Sequence, residues 1–122
     1  MMETLQDRLW HYRARVERIV DADTLDVYLD QGYRSYRLEP LRLLNCWAPE
    51  IRGPERYAGL AAKRWVDEWV AALPAAEWPL IIRTEKSDAF GRYLAEVRSA
   101  STGESLNEAM VAAGHATAAK PS

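Results

Sequence analysis

The run AGLAAKRWVDEWVAAL, from Ala58 to Leu73, decides how this chain is read. Ala62, Trp65, Val66, Trp69, Val70 and Leu73 fall at helical spacing on one face. Lys63, Arg64, Asp67 and Glu68 take the other face. Pro74 cannot continue the helix and stops it. The tryptophans are read as core anchors. On both sides of this run the apolar period drops from 3.6 to two, which is the spacing of strands. A single helix therefore divides two groups of strands.

Upstream, Tyr12, Ala14 and Val16 alternate with Arg13, Arg15 and Glu17, a half-buried strand with a basic outer face. Asp21-Ala22-Asp23-Thr24 breaks the alternation as a tight acidic turn. Leu25, Val27 and Leu29 then alternate with Asp26, Tyr28 and Asp30. Asp30-Gln31-Gly32 signals a hairpin, and a third strand runs from about Tyr33 to Cys46. Pro40 inside it calls for an edge or a bulge. Downstream, Pro79 to Thr84 and Tyr93 to Arg98 read as strands four and five. Leu106 to Ala113 reads as a short helix, with Ser105 or Gly103 near its N-cap and Gly114 closing it. Three strands, a helix, two strands and a helix fit a mainly β (α+β) fold, a five-stranded Greek-key barrel of the OB type.

The chain has 122 residues, the size of one domain. The expected division is a tail over 1–10, one barrel domain over 11–116 and a short tail over 117–122. Nearly half the residues are apolar, enough for one core. No window is long enough to span a membrane. Met1 to His11 has no apolar stretch of the signal-peptide kind, so a cytoplasmic location is expected and secretion of a processed form stays open. Cys46 is the single cysteine and reads as a reduced core thiol. A net charge of −2 argues against a nucleic-acid coat protein. The cations are nonetheless uneven, gathering at Arg8 to Arg18 and again at Arg34 to Arg64, and a basic face could hold a phosphate backbone.

Arg42 to Glu50 is an apolar run with a charge at each end. A lone buried charge is expensive, so both ends should serve a pocket. Four pieces could converge there: the Asp21/Asp23 turn, Arg42, Glu50 and the Asp88 to Arg92 loop. Carboxylates are hard oxygen ligands for Ca²⁺ or Mg²⁺. Arginines offer planar donors suited to phosphate oxygens. A single Glu can orient or deprotonate water. These are the parts of phosphodiester hydrolysis. No Cys/His cluster, Gly-rich phosphate loop or serine nucleophile elbow is present.

Taken together, the motifs resemble a known family. Val20-Asp21-Ala22-Asp23-Thr24-Leu25 looks like its V-D-G-D-T turn, and Arg42-Leu43-Leu44 with Ala48-Pro49-Glu50 is similar to its R-L…A/T-P-E segment. Asp88-Ala89-Phe90-Gly91-Arg92-Tyr93-Leu94-Ala95 resembles D-x-[YF]-G-R-x-L-A, and Leu106-Asn107-Glu108 with Gly114 resembles the closing L-N-x-x-L-V-x-x-G. The family is the staphylococcal nuclease (thermonuclease-like) domain, and the resemblance covers about Arg13 to Ala116. It implies an OB-type barrel with packed helices and Ca²⁺-dependent cleavage of DNA and RNA. The expected partner is DNA or RNA in single-stranded or flexible form, with no membrane, and the chain is expected to be a monomer. The resemblance makes Glu50 the water-activating carboxylate, and Arg42 and Arg92 the phosphate clamp. Asp23 would be a direct metal ligand, with Asp21 in the outer shell and the Ala48 backbone carbonyl completing the site. Arg37, Arg52 and Trp47 are candidate substrate contacts.

Two departures carry expectations of their own. Trp47 stands where the family has a second metal carboxylate, and tryptophan offers a metal no acceptor. Ala22 replaces the turn glycine, and strain of roughly 1 kcal/mol or more follows if that position needs positive φ. The alternative to a nuclease is a catalytically weak or inactive OB-fold module that binds single-stranded nucleic acid or a protein. A domain that keeps only the fold is a third reading.

Overall fold

The computed structural model of the chain describes residues 4–87 and 91–120. Asp88, Ala89 and Phe90, which form part of one motif above, lie outside them. The five strands are β1 (His11–Asp21), β2 (Thr24–Asp30), β3 (Tyr36–Leu43), β4 (Leu80–Ser87) and β5 (Tyr93–Ser99). They close in the order β1-β2-β3-β5-β4, with β4 pairing back onto β1. Helix α1 (Arg56–Ala71) lies between β3 and β4, and α2 (Leu106–Ala112) follows β5. This is the OB-type barrel expected from the period changes. Among the described residues, no helix is long and apolar enough to cross a membrane.

The alternation in β2 explains the closure. Leu25, Val27 and Leu29 are buried inside, together with Leu41, Leu43, Leu80, Ile82, Ala95 and Val97 from the other strands. Each fully buried Leu or Ile stabilises the fold by about 1.5–3 kcal/mol. Ala62 and Val66 of α1 and Leu106 and Met110 of α2 are also buried, and Trp65 and Trp69 pack against the same core. The Trp69 indole donates to Glu104 Oε1 at 2.7 Å, so its polar edge is satisfied. At α2, Ser105 Oγ accepts the Glu108 N–H at 3.2 Å as the N-cap.

Some boundaries differ from the sequence reading, each for a local reason. β3 begins at Tyr36, not Tyr33, because Tyr33 and Arg34 adopt left-handed φ of 54° and 60° and belong to the hairpin turn. It ends at Leu43, and Asn45 turns the chain with φ of 51°, a conformation that Asn tolerates well. Pro40 sits where β3 pairs with β2 alone, since pairing to β5 involves only Leu41 to Leu43. The missing proline N–H therefore breaks no ladder. Helix α1 begins at Arg56, ahead of Ala58, because a 3-10 turn over Gly53–Glu55 with Pro54 leads into it. Ala22 is fully buried and is not among the residues with positive φ, so the strain expected of a glycine replacement does not arise.

Candidate functional site

Arg42 is mounted in the middle of three strands. It lies opposite Thr24 of β2 on one side and Leu94 of β5 on the other. Its neighbours Leu41 and Leu43 point into the core, so alternation turns Arg42 outward. Nη1 donates to the Leu43 carbonyl at 2.8 Å and to the Cys46 carbonyl at 2.6 Å. The turn at Asn45 is what brings the Cys46 carbonyl back to it. Nη2 lies 3.5 Å from Asp23 Oδ2, and the guanidinium carbon sits 5.6 Å from the centre of the Trp47 ring. A guanidinium carries five donors. Those on Nε and Nη2 make no hydrogen bond among the described residues, Nη2 being held only in the ion pair with Asp23.

Asp23 ties the first motif to the second. Its Oδ2 accepts the Ala48 N–H at 2.9 Å and its Oδ1 accepts the Thr24 hydroxyl at 3.2 Å. The Asp23 carbonyl accepts the Leu43 N–H at 2.8 Å. The third motif arrives through β5, whose parallel pairing to β3 sets Tyr93 against Leu41. Just before it, Arg92 Nη1 donates to Thr24 Oγ1 at 3.4 Å. Thr24 thus stands between the two arginines. Cys46 is buried beneath this arrangement. Burial pushes its thiol up to about 12, the Asp23 charge adding to the rise and Arg42 opposing it, so the sulfur is a packing group.

Glu50 follows Ala48 by two residues and is exposed. It borders two clefts. One, of about 390 Å³, is lined by Trp47, Glu55, His115, Thr117 and Lys120 as well as Glu50. Trp47 and Thr117 close its floor by exchanging two backbone hydrogen bonds of 2.9 Å. The other cleft, also about 390 Å³, is lined by Arg18, Asp21, Glu50, Arg52 and Lys63. Trp47 and Ala48 share the first cleft with Glu50, and Asp21 and Arg52 share the second, while Asp23 and the Trp47 ring also meet Arg42. Arg37 is not part of either group. It lies five residues along β3 from Arg42, about 16 Å of strand, and forms an ion pair with Glu39.

Three further residues line or support these clefts, of which the sequence marked Arg18 and Lys63 only as members of the basic groups and Gly59 not at all. Gly59 backs α1 against the Glu50 segment so closely that a Cβ there would lie 2.1 Å from the Glu50 carbonyl oxygen and 2.8 Å from the Ile51 nitrogen. A glycine inside a helical pattern costs about 1 kcal/mol against alanine, and that was the available signal. Lys63 lies one turn further on, on the same side of the helix as Gly59. That spacing takes it out of the solvated face and into the cleft. Arg18 had no signal beyond its charge. Gly59→Ala should destabilise the fold by about 1–3 kcal/mol in urea titration, the overpacking range, and should move the Glu50 and Ile51 amide resonances. Unmoved resonances would mean that the helix does not position Glu50.

The Ca²⁺ site implied by the resemblance can be tested on its donors. Ca²⁺ takes six to eight oxygens. The described residues assemble no cluster of three or more His, Cys, Asp or Glu side chains able to hold a metal ion. Both Asp23 oxygens already accept hydrogen bonds, and Oδ2 faces Arg42 as well. Asp21 lines the neighbouring cleft, and the amide at Ala48 points its N–H at Asp23. These donors do not fit Ca²⁺ as they stand, with Trp47 supplying a ring where a carboxylate would be needed. No protein-family model matches the chain, and no curated protein matches it. The described residues form an OB-type barrel in which Arg42 and Arg92 each adjoin Thr24 and Glu50 is exposed.

Proposed function

We propose that this chain cleaves phosphodiester bonds of DNA or RNA in single-stranded or flexible form. The observation that carries the reading is that Arg42 pairs opposite Thr24 while Arg92 donates to the Thr24 hydroxyl, with Asp23 anchoring the segment that presents Glu50. Charge develops on the phosphoryl oxygens during attack, and preorganised donors stabilise it strongly. Arg42 supplies Nε and Nη2, and Arg92 supplies the second guanidinium. Glu50 orients a water and takes its proton as that water attacks phosphorus. Ca²⁺ is the cofactor that the resemblance implies, and no step above depends on it.

The test is incubation with single-stranded DNA and RNA in Ca²⁺, then in EDTA. Cleavage is expected in both buffers, because the proposed roles of Arg42, Arg92 and Glu50 need no metal. Loss of cleavage in EDTA would show that a metal completes the site after rearrangement of the Asp23 contacts. Retained binding without cleavage under any cation would overturn the enzyme reading.

One observation favours the second reading, a binding module. On the outer face of β1, β2 and β3, Arg15 lies over both Trp78 and Tyr28, at 4.9 and 5.2 Å. Arg13 lies 5.8 Å from Trp78, and Tyr36 stacks on Trp78 at 5.8 Å with 4° between the rings. Planar groups interleaved with cations in this way suit the stacking of single-stranded bases.

A further inference from the structure

The cleft on the α1 side of Glu50 gathers three cations from three separate segments: Arg18 from β1, Arg52 from the loop and Lys63 from α1. Such grouping is repulsive unless something negative joins it. Asp21 and Glu50 line the same cleft, yet none of the five is within ion-pair distance of a partner among the described residues. Elsewhere on the barrel, arginines do find carboxylates, as Arg13 does with Asp30 and Arg98 with Glu96. The cleft is therefore not a closed internal ion-pair network. It keeps an excess of one positive charge, three cations against two carboxylates, in a space of about 390 Å³.

The geometry points to a phosphate subsite formed by Arg18, Arg52 and Lys63, which holds the backbone phosphate next to the one addressed by Glu50. The subsite rests on the reading that Glu50 faces a phosphodiester. It deepens that reading by naming the substrate as a strand with phosphates on both sides of the reacting bond, in preference to a single diester. Lys63 is the best-placed member. It is half-buried, and helix α1 is held rigidly against the Glu50 backbone at Gly59. A charge presented from a rigid element binds with less ordering cost than one on a free loop. Asp21 and Glu50 oppose an anion in this cleft, and the three cations outnumber them.

Binding is measured in the Glu50→Gln background, so that no cleavage intervenes, by fluorescence anisotropy of an eight-nucleotide labelled single strand across a salt series. A dinucleoside monophosphate, with one phosphate, serves as competitor. Arg18→Gln and Lys63→Gln should each weaken octanucleotide binding by about tenfold and make the salt slope shallower by about 0.7. The single-phosphate competitor should change by less than about twofold in the same variants. Arg64→Gln, an exposed cation on the same helix, controls for bulk charge and should leave both probes unchanged. The subsite is overturned by an unchanged slope, by equal effects on both probes, by an Arg64→Gln effect as large as Lys63→Gln, or by no octanucleotide binding at all. A wild-type chain that cleaves nothing while this binding pattern holds would remove the nuclease reading and leave the subsite standing.

Discussion

Glu50→Gln should lower the cleavage rate by about 10²–10⁴-fold, the range of a lost general base, with little effect on binding or stability. Glutamine keeps the shape of the side chain and cannot take a proton at neutral pH. The backbone around it is held independently of the carboxylate. Ala48 is fixed by Asp23, Trp47 by Thr117, and the Glu50 carbonyl lies against Gly59. A loss of rate with an unchanged urea midpoint would therefore report chemistry. Arg42→Ala should show a rate loss of similar size for a mixed reason. It removes a phosphate donor and also leaves the Leu43 and Cys46 carbonyls without their charged partner, a stability loss of about 2–3 kcal/mol. Arg42→Lys separates the two effects, because an ammonium keeps the charge but cannot reproduce the planar fork. Full activity in both Glu50→Gln and Arg42→Ala would place the cleavage elsewhere or in a contaminant.

The barrel was legible because each of its strands has one buried face. A strict period of two leaves only one register that buries Leu25, Val27 and Leu29 together, and a single helical run separates strands three and four. Pro40 added the edge, since a residue without an N–H can sit only where no neighbour needs one. The arginine pair was legible only in part. By residue type alone Arg42, Arg92 and Arg37 are alike, and only the motifs around Arg42 and Arg92 set those two apart in the sequence. In the fold the β3–β5 pairing brings Arg92 to Thr24 beside Arg42 and leaves Arg37 at the other end of the strand. That pairing joins segments far apart in the chain, and no local pattern encodes it.

Ala22 shows the opposite case, where a local rule gave an expectation that the fold removes. Glycine is needed at a turn only if φ is positive there. In this turn the register shifts between Ile19 and Asp21 take up the irregularity, and Ala22 is packed in the core. The same logic applies to Trp47. Its ring faces the Arg42 guanidinium, and its backbone is committed to Thr117, so the position is built around those contacts. Lys63 and Arg18 were invisible as a pair for another reason. They lie 45 positions apart (63 − 18) on a helix and a strand, and only the approach of α1 at Gly59 brings them into one cleft.

Asn107→Ala should cost about 2–5 kcal/mol, the sum of two buried backbone groups left unsatisfied. The side chain is almost fully buried and makes three hydrogen bonds. Its Oδ1 accepts the Val97 N–H at 3.0 Å, and its Nδ2 donates to the Leu44 and Ala95 carbonyls at 2.9 and 3.0 Å. The Ala95 carbonyl keeps a second partner in the Leu44 N–H, so the Val97 N–H and the Leu44 carbonyl bear the loss. These bonds pin α2 to β5 and to the residue that follows β3, one step from the turn that closes over Arg42. A domain of this size is stable by only about 5–15 kcal/mol, so a urea titration should show a large fall in midpoint. Asn107→Leu should fare little better, since it fills the volume but satisfies neither backbone group. Asn107→Asp should be the worst of the three near neutral pH, because it sets a buried carboxylate against two carbonyls. Its pKa must rise on folding, so the native state binds the extra proton and stability should recover as pH falls toward the acid range. If all three variants lie within about 0.5 kcal/mol of the parent, the range of surface substitutions, the Asn107 bonds do not hold the helix to the barrel.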